Sequence, residues 1–178
     1  MNRFFSVTST NHPEVGLRTI TASDQENLRN WKNAHRNSFF FKELITPVSQ
    51  QNWFTDYLTR DQDYMFLITA NGEEIGCMGF RLRNTTWDIY NVIRGTHAVS
   101  RSGHMGQALH MMCSYAISLQ PLRVAAEVIN TNPALGWYCR NGFRISKVHA
   151  TYTEIELDSR VFVPCSAIEL VEIAPSNS

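Results

Sequence analysis

Trp87–Ala116 reads WDIYNVIRGTHAVSRSGHMGQALHMMCSYA. A segment of strand character runs into a polar loop carrying glycines, a hydroxyl residue and arginine, and the loop opens directly into an amphipathic helix. A helix N-terminus exposes unpaired N–H groups and partial positive charge, so this geometry can hold a pyrophosphate. Gly103 and Gly106 would let the backbone approach phosphate oxygens closely. Two glycines before a helix also serve a plain tight turn, so the stretch gains meaning only from its surroundings.

Downstream, Ala125–Phe143 reads AAEVINTNPALGWYCRNGF. It places a strand (Leu122–Ile129), an asparagine-rich turn, a short helix (Pro133–Arg140) and an Asn141-Gly142 cap in close succession. Between the two stretches, Gln107–Leu119 is expected as a helix with Ala108, Leu109, Met112, Ala116 and Leu119 on one face. Upstream, Gly16–Thr21 predicts a first strand, and Ser23-x-x-Glu26 a capping box ahead of Leu28 and Trp31. Thr46-Pro47 predicts an N-cap with proline at the first helical position, followed by the stripe Trp53, Phe54, Tyr57 and Leu58. Tyr64–Ala70 reads as a buried strand, Asn71-Gly72 as a hairpin turn, and Glu74–Arg83 and Thr86–Arg94 as further strands turning near Asn84. From Phe143 to Ile173 the chain alternates as strands, including TYTEIEL and AIELVEI. The order β-α-α-β-β-β-α-β-α-β-β implies an α/β (α+β) domain with a mixed sheet covered by helices. A dinucleotide fold would need repeated crossovers and a glycine fingerprint on its first strand.

The chain has 178 residues, which suits a single domain, 1–178, with its core over 16–173 and Ala174–Ser178 as a flexible tail. Sixteen basic residues offset sixteen acidic ones, which removes the electrostatic footprint of a nucleic-acid or anionic-membrane binder. Its start, MNRFFSVTST, has no signal pattern, and no apolar run is long enough to span a bilayer. Cys77, Cys113, Cys139 and Cys165 lie far apart without a C-x-x-C pair, and the histidines show no metal spacing. Reduced thiols in a cytoplasmic protein, with no metal, are the expectation.

The two stretches together resemble the Gcn5-related N-acetyltransferase (GNAT) superfamily. Its phosphate loop follows a pattern like (Gln/Arg)-x-x-Gly-x-(Gly/Ala), where Arg101 matches the first position and Gly106 the last. Its later segment reads like Asn-x-x-Ala-x-x-x-Tyr-x-x-x-Gly-Phe, which Ala134, Tyr138, Gly142 and Phe143 match. The middle glycine falls on His104, with Gly103 one position early, and Asn132 sits six residues before Tyr138 where the pattern has seven. The likeness covers most of Gly16–Leu157, and the Trp31-Lys32-Asn33 element resembles subgroups that modify amino sugars or protein N-termini.

The resemblance implies a mixed, mostly antiparallel sheet of about six to seven strands with helices on both faces, splayed between the fourth and fifth strands. It implies direct acetyl transfer from acetyl-CoA (coenzyme A) to an amine. The cofactor would meet main-chain groups near Val92 and Ile93, the amides of Arg101, Ser102, Gly103, His104, Met105, Gly106 and Gln107, and the Asn132 side chain. Tyr138 matches the general acid, since a phenol with a reference pKa of about 10 stays protonated at neutral pH. For the base, Glu127 stands at a spacing from Asn132 that some family members use; Asp88 and His97 stay open. Tyr138 would otherwise be a core tyrosine and Glu127 an edge-strand carboxylate. Cys139 lacks a base partner and is expected as an ordinary helix residue.

Phe39, Phe40 and Phe41 fall where one wall of the acceptor site is expected, although core anchoring or a dimer patch would use them equally. A small amine, such as an amino sugar carried on a nucleotide, is the expected acceptor. A protein N-terminal amine and a non-catalytic CoA-binding domain are the alternatives. The extended Arg160–Ile173 segment is a candidate for pairing across a homodimer.

Overall fold

The computed structural model describes residues 3–95 and 103–174; the expected tail at 175–178 lies outside them. In chain order the elements are β1 (Phe5–Thr8), β2 (Val15–Thr19), α1 (Gln25–Ala34), α2 (Pro47–Leu58), β3 (Asp63–Ala70), β4 (Glu73–Arg83) and β5 (Thr86–Arg94). They continue as α3 (His104–Leu119), β6 (Arg123–Ile129), α4 (Leu135–Arg140), β7 (Phe143–Val148), β8 (Tyr152–Leu157) and β9 (Glu169–Glu172). Among the described residues the strands form one nine-stranded sheet in the order β7-β8-β6-β5-β4-β3-β2-β1-β9. Every neighbouring pair is antiparallel except β5 with β6.

Local chemistry sets most of the boundaries. Thr46 caps α2 by accepting from the Ser49 amide at 3.1 Å, with Pro47 at the first helical position as its fixed φ favours. Asn71 and Gly72, at φ 51° and 82°, make the tight β3–β4 turn. The cap of α1 lies earlier than Ser23: the Thr21 amide donates to Asp24 Oδ2 at 2.6 Å, so a 3-10 turn over Ala22–Asp24 precedes the helix. Buried Asp24 also takes both guanidinium nitrogens of Arg18 at 2.9 Å, which fixes it more firmly than the exposed Ser23-x-x-Glu26 pairing would.

Both sheet faces are covered. Along β3, Met65 and Leu67 pack with Leu28 and Trp31 of α1 and Phe54 and Tyr57 of α2. Phe66 and Ile68 point the other way, into the larger core with Leu109, Met112 and Tyr115 of α3. Each such side chain contributes roughly 1.5–3 kcal/mol relative to exposure, so β3, buried on both faces, anchors the fold. The helix α3 is more enclosed than a single stripe: Met111, Cys113 and Tyr115 are buried as well as the expected Ala108, Leu109, Met112 and Ala116. Leu58, expected on the α2 stripe, is exposed.

Two short strands at one side of the sheet raise the count above six or seven. Strand β1, FSVT, is too brief to show alternation in sequence. Strand β9 pairs Glu169–Glu172 with Thr8–Phe5 of the same chain, so part of the segment named as a dimer candidate extends the protein's own sheet and forms its last strand. Among the described residues, no helix is long and apolar enough to cross a membrane.

Candidate active site

The sheet opens between β5 and β6. Their parallel register holds only at Thr86↔Arg123, Trp87↔Val124 and Asp88↔Ala125. Beyond those pairs β5 stays with β4 as far as Arg94, and β6 stays with β8 as far as Ile129. Each strand therefore turns an unpaired edge of N–H and C=O groups to the gap from Ile89 and Ala126 onward, where an extended ligand can pair as a strand does.

A bulge lies along the open edge of β5. On β4, Cys77 faces Ile93 and Gly79 faces Tyr90, so two residues of β5, Asn91 and Val92, stand against Met78 alone. Asn91 takes the left-handed conformation, φ 50°, and its Oδ1 accepts from Lys32 Nζ of α1 at 2.6 Å. The same ammonium lies 3.2 Å from the centroid of the Phe39 ring, and burial pushes its pKa down to about 8, with the neighbouring Cys77 side chain acting in the opposite direction. The expected main-chain contacts, Val92 and Ile93, thus follow a built distortion. Asn91, a turn-favouring residue inside the strand TWDIYNVIR, is the sequence signal for it; nothing in the sequence joins Asn91 to Lys32.

The helix α3 begins at the mouth of this gap. Gly103 is its N-cap at φ 79°, and a Cβ there would meet nothing within 4 Å. Its carbonyl accepts from the Gly106 and Gln107 amides at 2.9 and 3.1 Å, which closes the first turn. His104 and Met105 are half-buried in that turn. Gly106 has another reason to lack a side chain: a Cβ would stand 2.3 Å from Asn141 Oδ1, while Asn141 Nδ2 donates to the Trp137 carbonyl at 2.8 Å. Gln107 Oε1 is buried with no donor among the described residues. The residues present fit acetyl-CoA: open strand edges for its arm, an uncrowded helix N-terminus for its phosphates, and an orphaned acceptor beside both. Arg101, Ser102 and His97 lie outside the described residues.

Tyr138 of α4 is 7% exposed and sits in the same cluster as Cys113 of α3, with its ring against Trp137 and Phe143 at 5.0 and 5.6 Å. Burial raises its pKa above the ordinary tyrosine range, and the Cys113 thiol acts in the same direction, so the phenol keeps its proton. Glu127 and Asp88 approach from the opposite face of the sheet. Together with Ala125, Arg83, Arg123 and Glu154 they line a cavity of about 310 Å³. Asp88 is committed to ion pairs with Arg81 at 2.9 Å and Arg83 at 3.4 Å. Glu127 is exposed and has no ion pair among the described residues. Directly across from it on β8, Glu154 binds His149 Nε2 at 2.6 Å.

Asn132 does more to join segments than to face the gap. Its Oδ1 accepts from the Ala134 amide at 2.9 Å, and its Nδ2 donates to the Ser38 carbonyl at 3.1 Å. The second contact ties the loop between α1 and α2 to the β6–α4 turn. Asn33 braces that loop by a two-way bond to the Ile45 backbone at 2.8 and 2.9 Å. Cys139 is exposed, as expected of a bystander.

The splayed mixed sheet and the helix that opens at its mouth define an acyl-CoA-binding N-acetyltransferase. The family model for the acetyltransferase (GNAT) domain matches residues 14–144, most of the chain, and this protein belongs to that family; it is an acetyl-CoA-dependent N-acetyltransferase. By sequence, no curated protein matches the chain. Among solved structures it is similar to a spermidine N-acetyltransferase from Vibrio cholerae in complex with CoA and spermine, at 17% identity and TM-score 0.65 over 80% of this chain and 92% of that one. It is similar also to apo FdhC, a nucleotide-linked sugar GNAT, at 15% identity and TM-score 0.67 over 83% and 88%. The N-acetyltransferase PseH of Campylobacter jejuni is likewise similar, at 15% identity and TM-score 0.62 over 83% and 99%.

Proposed function

We propose that the acceptor is the primary amine of a small molecule, with a nucleotide-linked amino sugar as the substrate class. The observation that supports this reading is an aromatic wall at the open end of β6. Phe40 and Phe41 are 58% and 54% exposed, in a loop that Asn132 holds against the β6–α4 turn. The Phe40 ring meets Tyr152 edge-on at 5.8 Å, and Tyr152 stacks on His149 at 4.2 Å. Tyr152 in turn pairs with Ile129, the last residue of the splayed edge. Exposed aromatic faces suit a planar base, whose stacking is worth about 1–3 kcal/mol. FdhC, described as a nucleotide-linked sugar GNAT, shares the fold.

Acetyl-CoA supplies an acetyl group activated as a thioester. In this reading Glu127 takes the proton that the amine must lose, since its carboxylate has no ion pair among the described residues while that of Asp88 is held by two arginines. Tyr138 donates from Oη to the departing sulfur, its buried phenol being protonated at neutral pH. In this reading the bulge amides near Asn91 and Val92 would hold the thioester carbonyl, the start of α3 would take phosphate charge, and Asn132 positions the aromatic loop.

A second reading, a polyamine acceptor, is favoured by the carboxylates of Glu127 and Glu154 facing each other across β6 and β8. Labelled acetyl-CoA with nucleotide-linked amino sugars, spermidine and an N-terminal peptide separates them. Transfer to the sugar, with KM raised by Phe40→Ala and kcat kept, supports the first reading. Transfer to spermidine alone establishes the second, and transfer to the peptide alone overturns both.

A further inference from the structure

Outside the cleft, three segments bring one potential ligand atom each to a single point. His12 lies in the turn between β1 and β2, His110 in the middle of α3, and Cys165 in the segment leading to β9. His12 Nε2 is 2.9 Å from His110 Nδ1, and Cys165 Sγ is 3.6 Å from the same nitrogen. All three atoms lie within 4.8 Å of one another, and all three residues are half-buried. We propose that His12, His110 and Cys165 form a zinc site that fastens the C-terminal segment to α3 and to the N-terminal hairpin.

The geometry fits. Zinc bonds imidazole nitrogen at about 2.0–2.1 Å and thiolate at about 2.3 Å; tetrahedral angles then separate N from N by about 3.4 Å and N from S by about 3.6 Å. The His110–Cys165 spacing already has that value, and the two imidazoles need to part by about half an ångström. The tautomer of His110 is also set. Its Nε2 stands 2.7 Å from the Val163 carbonyl, which only accepts, so Nε2 carries the proton and Nδ1 turns its lone pair to the site. This is the outer hydrogen bond that orients metal-bound histidines. Two imidazoles and a thiolate without a carboxylate select zinc over magnesium or calcium, and three protein ligands leave the fourth position to water.

The backbone around the cluster is fixed without help from a metal. The Cys165 amide donates to Ser114 Oγ at 2.9 Å, the Ser166 amide to Asn11 Oδ1 at 3.1 Å, and Ser9 Oγ to the Ala167 carbonyl at 2.7 Å. The edge of Phe162 closes the far side of His110, its ring centroid 5.2 Å away. Binding converts the Cys165 thiol to thiolate and releases its proton to solvent, while His12 moves its N–H to Nδ1 so that Nε2 can ligate.

The test is a cobalt titration of the tag-free full-length protein, followed by displacement with zinc. The expected result is one equivalent bound, with visible bands of tetrahedral cobalt and a near-ultraviolet thiolate-to-cobalt band that zinc removes. Cys165→Ser abolishes the thiolate band, His12→Ala weakens zinc binding by more than about tenfold, and Cys139→Ser changes neither. Zinc raises the Tm of wild type, and of Cys139→Ser equally, but not of the two ligand variants. Circular dichroism of each variant confirms that a lost band does not reflect lost fold. A titration without a thiolate band, or a band that survives Cys165→Ser in folded protein, overturns the proposal and leaves a hydrogen-bonded cluster only.

Discussion

Replacing Tyr138 by phenylalanine separates catalysis from packing. The ring makes edge contacts with Trp137 and Phe143 at 5.0 and 5.6 Å, and phenylalanine keeps both. The hydroxyl gains no hydrogen bond within the described protein that holds its pKa down, so its removal deletes a desolvated polar group and little else. Stability is expected to stay within about 0.5 kcal/mol of wild type, the range of a substitution that breaks no network. Activity is expected to behave otherwise. General acid catalysis contributes roughly 10²–10⁴-fold, so kcat should fall by at least about 10², equal to about 2.7 kcal/mol of barrier. The KM for acetyl-CoA should stay near its wild-type value. Thiol release followed against pH, together with urea melts of both proteins, reads both quantities. A kcat within about threefold of wild type at unchanged stability would refute the catalytic role and leave Tyr138 a core residue.

Gly103→Asn and Gly103→Asp share a shape and the same cost of a left-handed φ, so their difference isolates charge. Calorimetry should show acetyl-CoA bound by the asparagine variant and weakened by about tenfold or more in the aspartate variant; equal affinities would remove the phosphates from the start of α3. Glu127→Gln should lower kcat by about 10² or more with stability unchanged, whereas Asp88→Asn should act mainly on stability by freeing Arg81 and Arg83; steady-state kinetics that reverse this order would make Asp88 the base. Lys32, with its folded pKa pushed to about 8 from an unfolded value of about 10.4, binds fewer protons folded than unfolded between those values. By itself Lys32 therefore raises stability from pH 8 towards pH 10, while the buried thiols of Cys77 and Cys113, which hold their protons well above the unfolded value of about 8.5, lower it over the same range. In urea melts at the two ends Lys32→Met should lose more stability on going to pH 10 than wild type does. Above pH 10 buried Tyr57 and Tyr90 add to the fall, because they hold their protons longer than unfolded tyrosines do.

Much of the framework is written in local signals. Thr46-Pro47, Asn71-Gly72 and Asn141-Gly142 act through neighbouring backbone dihedrals, so each is readable from a few residues. The β5–loop–α3 stretch and the segment ending in Tyr138 and Phe143 carry the cofactor cleft for the same reason, since a strand, a turn and a helix N-terminus are consecutive in the chain. Local reading failed at β1. Its four residues, FSVT, are held by pairing with β2 and, across more than 160 residues, with β9, which the alternation of AIELVEI marks as a strand without naming its partner.

The family, the cleft between β5 and β6 and the chemical types that line it are legible in the chain read residue by residue. Which of those groups are at liberty to act depends on the folded structure. It paired Asp88 with two arginines and left Glu127 without an ion pair among the described residues, bound both ends of the Asn132 amide, and set Gly106 against Asn141. It also assembled His12, His110 and Cys165, whose separations of 98 and 55 residues match no ligand spacing. The physical reason is one of range. Dihedral preferences and periodicity act over a few residues, whereas ion pairs, packing contacts and ligand sets depend on positions that exist only once the sheet has closed.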